Sequence, residues 1–455
     1  MPRARCFFGV LLPILILYRC ASAVDSQFEW RQCEGQQLLV MLNRHPYAEA
    51  IIRGIAEFEA LTGIEVAYVM IPEDRYFPRL EEAVDAKVGK PDVFMTGAYQ
   101  IWEYAPAGWL LDLDPLLSNP LMTRSNYTYR DFFPGISGAF RWDGVAGHPT
   151  GDGKLWALPI GFEANCLTYN GEVLVNNRLR APTTMRELIE TGRKLREFEG
   201  EGTFGIAARG LADWNTLHAG YMTAFVNYGA RDMEIEDGRL VSKVNSPEAV
   251  AVTDLWLKML EEGGPRDWRN YDWYGCGNAL GERRAAIMFD ADILGYFQNV
   301  PGASPQAGKL AFAPPPAPLG AQEVKSNLWV WGLAINAKSG HPDAAWMFIQ
   351  YFTSREFQLW SVLEQKSINP PRRSVFESLA FQGKIAAMAG FADVFSRIIE
   401  NTRIYFTPNP HFFEISRSWA QTLHAIADGV YPDTRAGMDA LKAWMDARLA
   451  DVPVE

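Results

Sequence analysis

Residues 38–70 read LLVMLNRHPYAEAIIRGIAEFEALTGIEVAYVM, and the order of patterns inside this stretch sets the fold class. Leu38 to Leu42 is a short apolar run with strand character. Asn43-Arg44-His45-Pro46 breaks it and opens a helix, with Asn43 or Arg44 near the N-cap. Ile51, Ile52, Ile55, Phe58 and Leu61 then recur at helical spacing, and Gly63 stands where a helix commonly ends. Ile64 to Met70 supplies a second strand. Working outward, Phe77, Leu80, Val84 and Val88 mark another amphipathic helix, and Asp92 to Met95 a third strand. Strand, helix, strand, helix, strand predicts an α/β fold built on a parallel sheet with covering helices.

The rest of the chain is less regular. Trp142 to Pro159 is rich in Gly and Pro and reads as a loop or hairpin, leading into an extended apolar segment, Leu155 to Tyr169. Pro182 followed by Thr184-x-x-Glu187 opens a helix with Leu188, Leu195 and Phe198 behind it. A further helix starts at Ser246-Pro247-Glu248 and stops at Gly263. Ala285 to Phe289 reads as a strand, Pro314-Pro315-Pro316 as a rigid connector, and the part after Trp329 to Ile335 as mostly helical. No repeat of fixed period is visible. A length of 455 residues predicts two or three domains, or one bilobed unit.

Arg3 and Arg5 before the apolar stretch Phe7 to Tyr18, then Ala21-Ser22-Ala23, form an export-signal pattern with cleavage expected before Val24. Cys20 raises lipidation as an alternative, against which Arg19 stands where a small residue is required. Loss of Arg3, Arg5 and Arg19 takes the formal charge from −11 to −14, an acidity that argues against nucleic acid as a partner. Cys33, Cys166 and Cys276 remain, enough for one disulfide at most. No GxSxG, HExxH or P-loop motif is present, and the six histidines lack metal-ligand spacing. Asp290 and Asp292 alternate on an extended segment and so do not face each other across a sugar bond as glycosidase acids must. No enzymatic activity and no cofactor are expected.

Several stretches in this order resemble the extracellular solute-binding proteins of ABC sugar importers. They are GIAEFEALTGIEV, PDVFMTGAYQIWEYAPAGWLLDLDPLL, LWALPIGFEANCLTYNGEVL, ERRAAIMFDADI and NLWVWGLAINAKSGHPDAAWMFIQYFTS. MTGAYQIWEYAPAGWL and NLWVWGLAI look most like the polyol- and monosaccharide-binding branch. The resemblance implies a two-lobed type II-like periplasmic-binding-protein fold, each lobe a sheet flanked by helices. By the family's layout, residues 1–23 are the signal, 36–161 with 315–352 one lobe, and 162–314 with 353–455 the other. Crossings are implied near Pro159 to Asn165, Phe312 to Pro316 and Phe352. Also implied are a monomer, a sugar, sugar alcohol or short oligosaccharide as ligand, closure about a hinge, and delivery to permease subunits. A glycerol-phosphate ligand or a sensory partner is the alternative.

A neutral polyhydroxylated ligand calls for aromatic faces and for planar polar groups at the C-terminal ends of strands. Asn43 and His45 follow the first strand, as ligand contacts or as a helix N-terminus. Glu73 and Tyr76 open the next helix, where Glu73 also suits the helix dipole. Gly97 and Tyr99 follow the third strand, and Tyr99 matches a tyrosine of the polyol branch. Glu163 sits at the implied first crossing, and Arg209 with Trp214 match an Arg-Gly then Trp pattern of that branch. Asp290 is preferred over Asp292 because it ends its strand, Trp329 over Trp331 for stacking, and Arg372 belongs to a late loop. The aromatic run Trp268 to Tyr274 reads equally as groove lining or as packing.

Overall fold

The computed structural model describes residues 28–86 and 88–454, so the export-signal pattern and Cys20 lie outside the described residues. The central strands are β1 (Gln37–Asn43), β2 (Glu65–Ile71), β3 (Val93–Gly97), β4 (Leu158–Asn170), β5 (Phe204–Ala207), β6 (Ala285–Ala291), β7 (Leu310–Ala313) and β8 (Leu328–Ile335). Their order is β2-β1-β3-β8-β4-β6-β5, with β7 also on β4. β1 pairs in parallel with β2 and β3, as the strand–helix alternation predicts, and β8 runs antiparallel to β3.

Strand β4 serves two sets of partners. Leu158 to Ala164 pair with β8, whereas Asn165 to Tyr169 pair with β6 and Leu167 to Asn170 with β7. One continuous strand therefore leaves the first group of strands between Ala164 and Asn165 and enters the second.

Helices cover these sheets, and their ends follow local chemistry. α1 (Pro46–Thr62) begins with proline at its first position, and its N-cap is His45, not Asn43 or Arg44. The reason is that β1 extends through Asn43, and the His45 ring nitrogen Nδ1 accepts from the Tyr47 amide at 3.3 Å. At the other end Gly63 adopts φ 69°, the left-handed conformation that closes a helix without a Cβ penalty. α2 (Glu73–Asp85) buries Tyr76, Leu80 and Val84; Val88 lies beyond it and is 71% exposed, so its apparent helical spacing was coincidental. α3 (Met185–Lys194) starts on the predicted Thr184 cap, with Glu187 reaching back to Thr183, and stops before Phe198. α4 (Pro247–Gly263) has the predicted bounds. α5 (Trp273–Gly281) and α6 (Asp292–Asn299) flank β6. The predicted hairpin is present as Arg141–Trp142 paired with Lys154–Leu155. Beyond β8 the chain is helical with intervening loops, from Pro342–Phe352 to Thr434–Leu449.

Cys33, Cys166 and Cys276 are all buried and unpaired. No helix among the described residues is long and apolar enough to cross a membrane.

Candidate functional site

A cavity of about 320 Å³ lies between the two groups of strands, at the ends the sequence singles out. From the first group come His45 after β1, Glu73 and Phe77 of α2 after β2, and Trp329 of β8. Glu163, on the crossing strand β4, is part of the wall. The second group contributes Arg209 just after β5, the turn Asp213-Trp214-Asn215, His218, and Asp272-Trp273-Tyr274 at the start of α5.

Arg209 is 5% exposed, and each of its three guanidinium nitrogens is hydrogen-bonded to protein. Its Nε donates to both oxygens of Asp290 at 2.9 and 3.1 Å, and Nη2 donates to Oδ1 at 2.8 Å. Nη1 donates to the Asn215 carbonyl at 2.8 Å and to His218 Nε2 at 3.3 Å. The guanidinium thus braces the Trp214 turn against β6. Asp290 lies within β6, which runs two residues past the expected end at Phe289. It is wholly buried, and its carboxylate meets Arg209, not the cavity. Asp292, the first residue of α6, accepts from Asn369 Nδ2 at 2.9 Å and from the Ala164 amide at 3.1 Å.

An aromatic wall faces this frame. The Trp329 ring lies 5.6 Å from Trp214, 5.2 Å from His218 and 5.1 Å from Trp331, centroid to centroid. Gly97 belongs to that wall in a different way from the one expected: a Cβ there would come within 2.5 Å of the Trp329 ring, so the glycine makes room for tryptophan, not for ligand. Tyr99 is likewise behind the wall. It is fully buried, stacked on Phe412 at 4.5 Å, and its hydroxyl donates to the Leu328 carbonyl. Tyr76 is a core residue whose hydroxyl bonds the Met41 and Met95 carbonyls. Asn43 is fully buried beside His45 in sequence, with neither amide atom hydrogen-bonded among the described residues. Arg372 is far from the role expected of it. It is 1% exposed, donates to the Thr353 and Thr128 carbonyls, pairs with Asp131 and lies over the Phe132 ring.

His45, Glu73, Glu163, Arg209, Trp214 and Trp329 therefore meet at one cavity, and Asn43, Tyr76, Gly97, Tyr99, Asp290 and Arg372 do not line it. Phe77, His218, Asp272, Trp273 and Tyr274 are also part of the lining. The ambiguous run Trp268 to Tyr274 divides: Trp268 is packed at 3% exposure, and its last three residues face the cavity.

Burial pushes the Glu163 carboxyl up to about 8, with Glu73, Asp290 and Asp292 adding to the shift and Arg209 opposing it. Burial also raises Asp292 to about 7, against its hydrogen bonds, and lowers His45 to about 3. His218 is held well below the ordinary imidazole range by burial and then by Arg209. The two acids bind more protons folded than unfolded, so each makes stability fall as pH rises up to its folded value. The two histidines bind fewer protons folded, so they make stability rise, but only up to their unfolded value near 6.5. Between pH 6.5 and 8 these histidines no longer contribute, and Glu163 and Asp292, joined by Glu103, which burial lifts to about 7, set the slope. The melting temperature of the unliganded protein is expected to fall across that window, and Glu163→Gln is expected to flatten the fall. A melting temperature that rises from pH 6.5 to 8 contradicts this.

The chain belongs to the bacterial extracellular solute-binding proteins: that family's model matches residues 45–359. It is 37% identical over 411 residues to the erythritol/L-threitol-binding protein of Mycolicibacterium smegmatis, covering 90% of this chain and 85% of the relative. It is 26% identical over 301 residues to the mannitol-binding protein of Pseudomonas aeruginosa, covering 66% and 64%. Among solved structures, it matches an ABC transporter solute-binding protein of Agrobacterium vitis with bound D-mannitol at TM-score 0.73 and 21% identity, covering 91% and 98% of the two chains. One from Agrobacterium radiobacter in complex with ribitol matches at TM-score 0.75 and 21% identity, covering 91% and 99%. The fold is the two-lobed α/β architecture of these proteins.

Proposed function

We propose that this protein captures a small neutral polyol between its two lobes and presents it, unaltered, to the permease of an ABC importer. The observation that carries the reading is the cavity: aromatic faces of Trp214, Trp273, Trp329 and Phe77 combined with carboxyl groups of Glu73, Glu163 and Asp272. Aromatic faces take the C–H surface of such a ligand, and a carboxylate accepts hydrogen bonds from adjacent hydroxyls. His45, Glu73, Glu163, Trp214 and Trp329 are proposed as contacts, with Arg209 bracing Trp214 from behind.

Size and charge narrow the ligand. About 320 Å³ is at the small end of ligand cavities, which suits a four- to six-carbon polyol better than an oligosaccharide. Arg209 is the only arginine or lysine among the described lining residues, and Asp290 already neutralises it. With Glu73, Asp74, Glu163, Asp213 and Asp272 around it, the cavity opposes a phosphate, so the glycerol-phosphate alternative is set aside. The erythritol/L-threitol-binding relative supports the same ligand class.

The lobes are proposed as 36–161 with 315–352 and 162–314 with 353–455, the change of partners along β4 supporting the first crossing. Export by a signal over residues 1–23 and a monomeric state belong to the same reading. The test is calorimetric titration with erythritol, L-threitol, ribitol, D-mannitol, maltose and glycerol 3-phosphate. Saturable binding is expected for at least one polyol and none for maltose or the phosphate. Absence of heat with every polyol overturns the proposal.

A further inference from the structure

Two histidines line the cavity, and hydrogen bonds to protein fix the tautomer of each. His45 Nδ1 accepts from the Tyr47 amide, so the proton of its neutral ring is on Nε2. His218 Nε2 receives Arg209 Nη1, and a guanidinium only donates, so the proton of that neutral ring is on Nδ1. Both remaining nitrogens, His45 Nε2 and His218 Nδ1, are buried without a partner among the described residues. Each residue is 5% exposed. A buried N–H donor left unmade is costly and calls for an acceptor.

His45 Nε2 stands 3.9 Å from Glu163 Oε1, too far for a direct hydrogen bond. The Glu163 carboxyl itself accepts no hydrogen bond among the described residues, although it is only 6% exposed. An oxygen placed about 2.8 Å from both atoms subtends about 90° between them, within the range a hydroxyl tolerates. A group in that place must accept from His45 and donate to the ionised form of Glu163, which such a hydrogen bond favours against the burial that holds its carboxyl up. A hydroxyl does both; an ether, a fluorine or a hydrogen does not.

We infer that His45 and Glu163 act as a pair that reads one ligand hydroxyl as acceptor and donor at once, with His218 supplying a second fixed donor across the cavity. The inference deepens, and rests on, the proposed polyol reading. It makes His45 a specificity residue through its Nε2, separately from its part in starting α1.

Two measurements test it. His45→Asn keeps an excellent N-cap and removes the Nε2 donor. Calorimetry with this variant is expected to show erythritol binding weakened about 10- to 100-fold. With 1-deoxy- and 2-deoxytetritols, one analogue should lose at least about 10-fold on the native protein but only a small further amount on His45→Asn, because the hydroxyl's partner is already gone. Native affinity for erythritol in His45→Asn, or deoxy losses that are the same in both proteins, overturns the inference. Independently, long-range 15N spectra of histidine-labelled, ligand-free protein should show the Nε2–H tautomer for His45 and the Nδ1–H tautomer for His218. The opposite tautomer at either ring overturns its assignment as a donor to ligand. A native protein that takes no polyol overturns the ligand class instead, while the tautomer spectra, needing no ligand, still decide the donor assignment.

Discussion

Asp290→Ala is expected to lower the stability of the unliganded protein by about 3–5 kcal/mol, because it strands a buried guanidinium. Arg209 is 5% exposed and gives three of its hydrogen bonds to Asp290, the shortest at 2.8 Å. Removing the carboxylate leaves a buried cation whose remaining hydrogen-bond partners, the Asn215 carbonyl and His218, carry no negative charge. The same change would at first suggest a lost ligand contact, since Asp290 follows the AAIMF strand in sequence; its burial makes the effect one of folding. Urea unfolding of the native protein and the variant measures it. A loss below about 1 kcal/mol would show that the pair is not buried as described.

Trp329→Ala is the second large effect, expected at about 3–5 kcal/mol together with loss of polyol binding. On sequence alone, Trp329 reads as a stacking platform whose removal spares the fold. In the structure it is 4% exposed, occupies a strand between β3 and β4, and touches Tyr99, Trp214, His218 and Trp331. Truncation opens a void in that aromatic layer, and the surrounding strands are held by their ladders and cannot collapse into it. Trp329→Phe should recover part of the stability. Thermal unfolding checks both variants; a Trp329→Ala protein as stable as the native one contradicts this packing.

The N-terminal strands and helices were legible because each carries its own period, and β1, α1 and β2 follow from residues 38–70 with only the N-cap displaced by two positions from Asn43. Residues just after strands were legible as site candidates for the same reason, which is how His45 and Glu73 were found, whereas Arg209 was singled out by the resemblance to the polyol-binding branch. Pairings between distant segments left no local trace. Arg209 and Asp290 are 81 residues apart, and nothing near either one announces the other. Tyr99 and Gly97 follow a strand as a ligand residue would, yet the Trp329 ring and the Asn327 amide claim the space around them. Arg372 is drawn away by carbonyls of Thr128 and Thr353, contacts that only the folded chain brings near. His218 was missed because a lone histidine ahead of a helix has no distinguishing neighbour; its importance comes from the guanidinium that sets its tautomer.

A crystal structure of the protein grown with erythritol tests the central claim most directly. The account predicts one polyol molecule between the two lobes, its carbon chain against Trp329 and Trp214 and a hydroxyl between His45 Nε2 and Glu163. Erythritol bound outside this cavity, or an empty cavity at saturating erythritol, would contradict it.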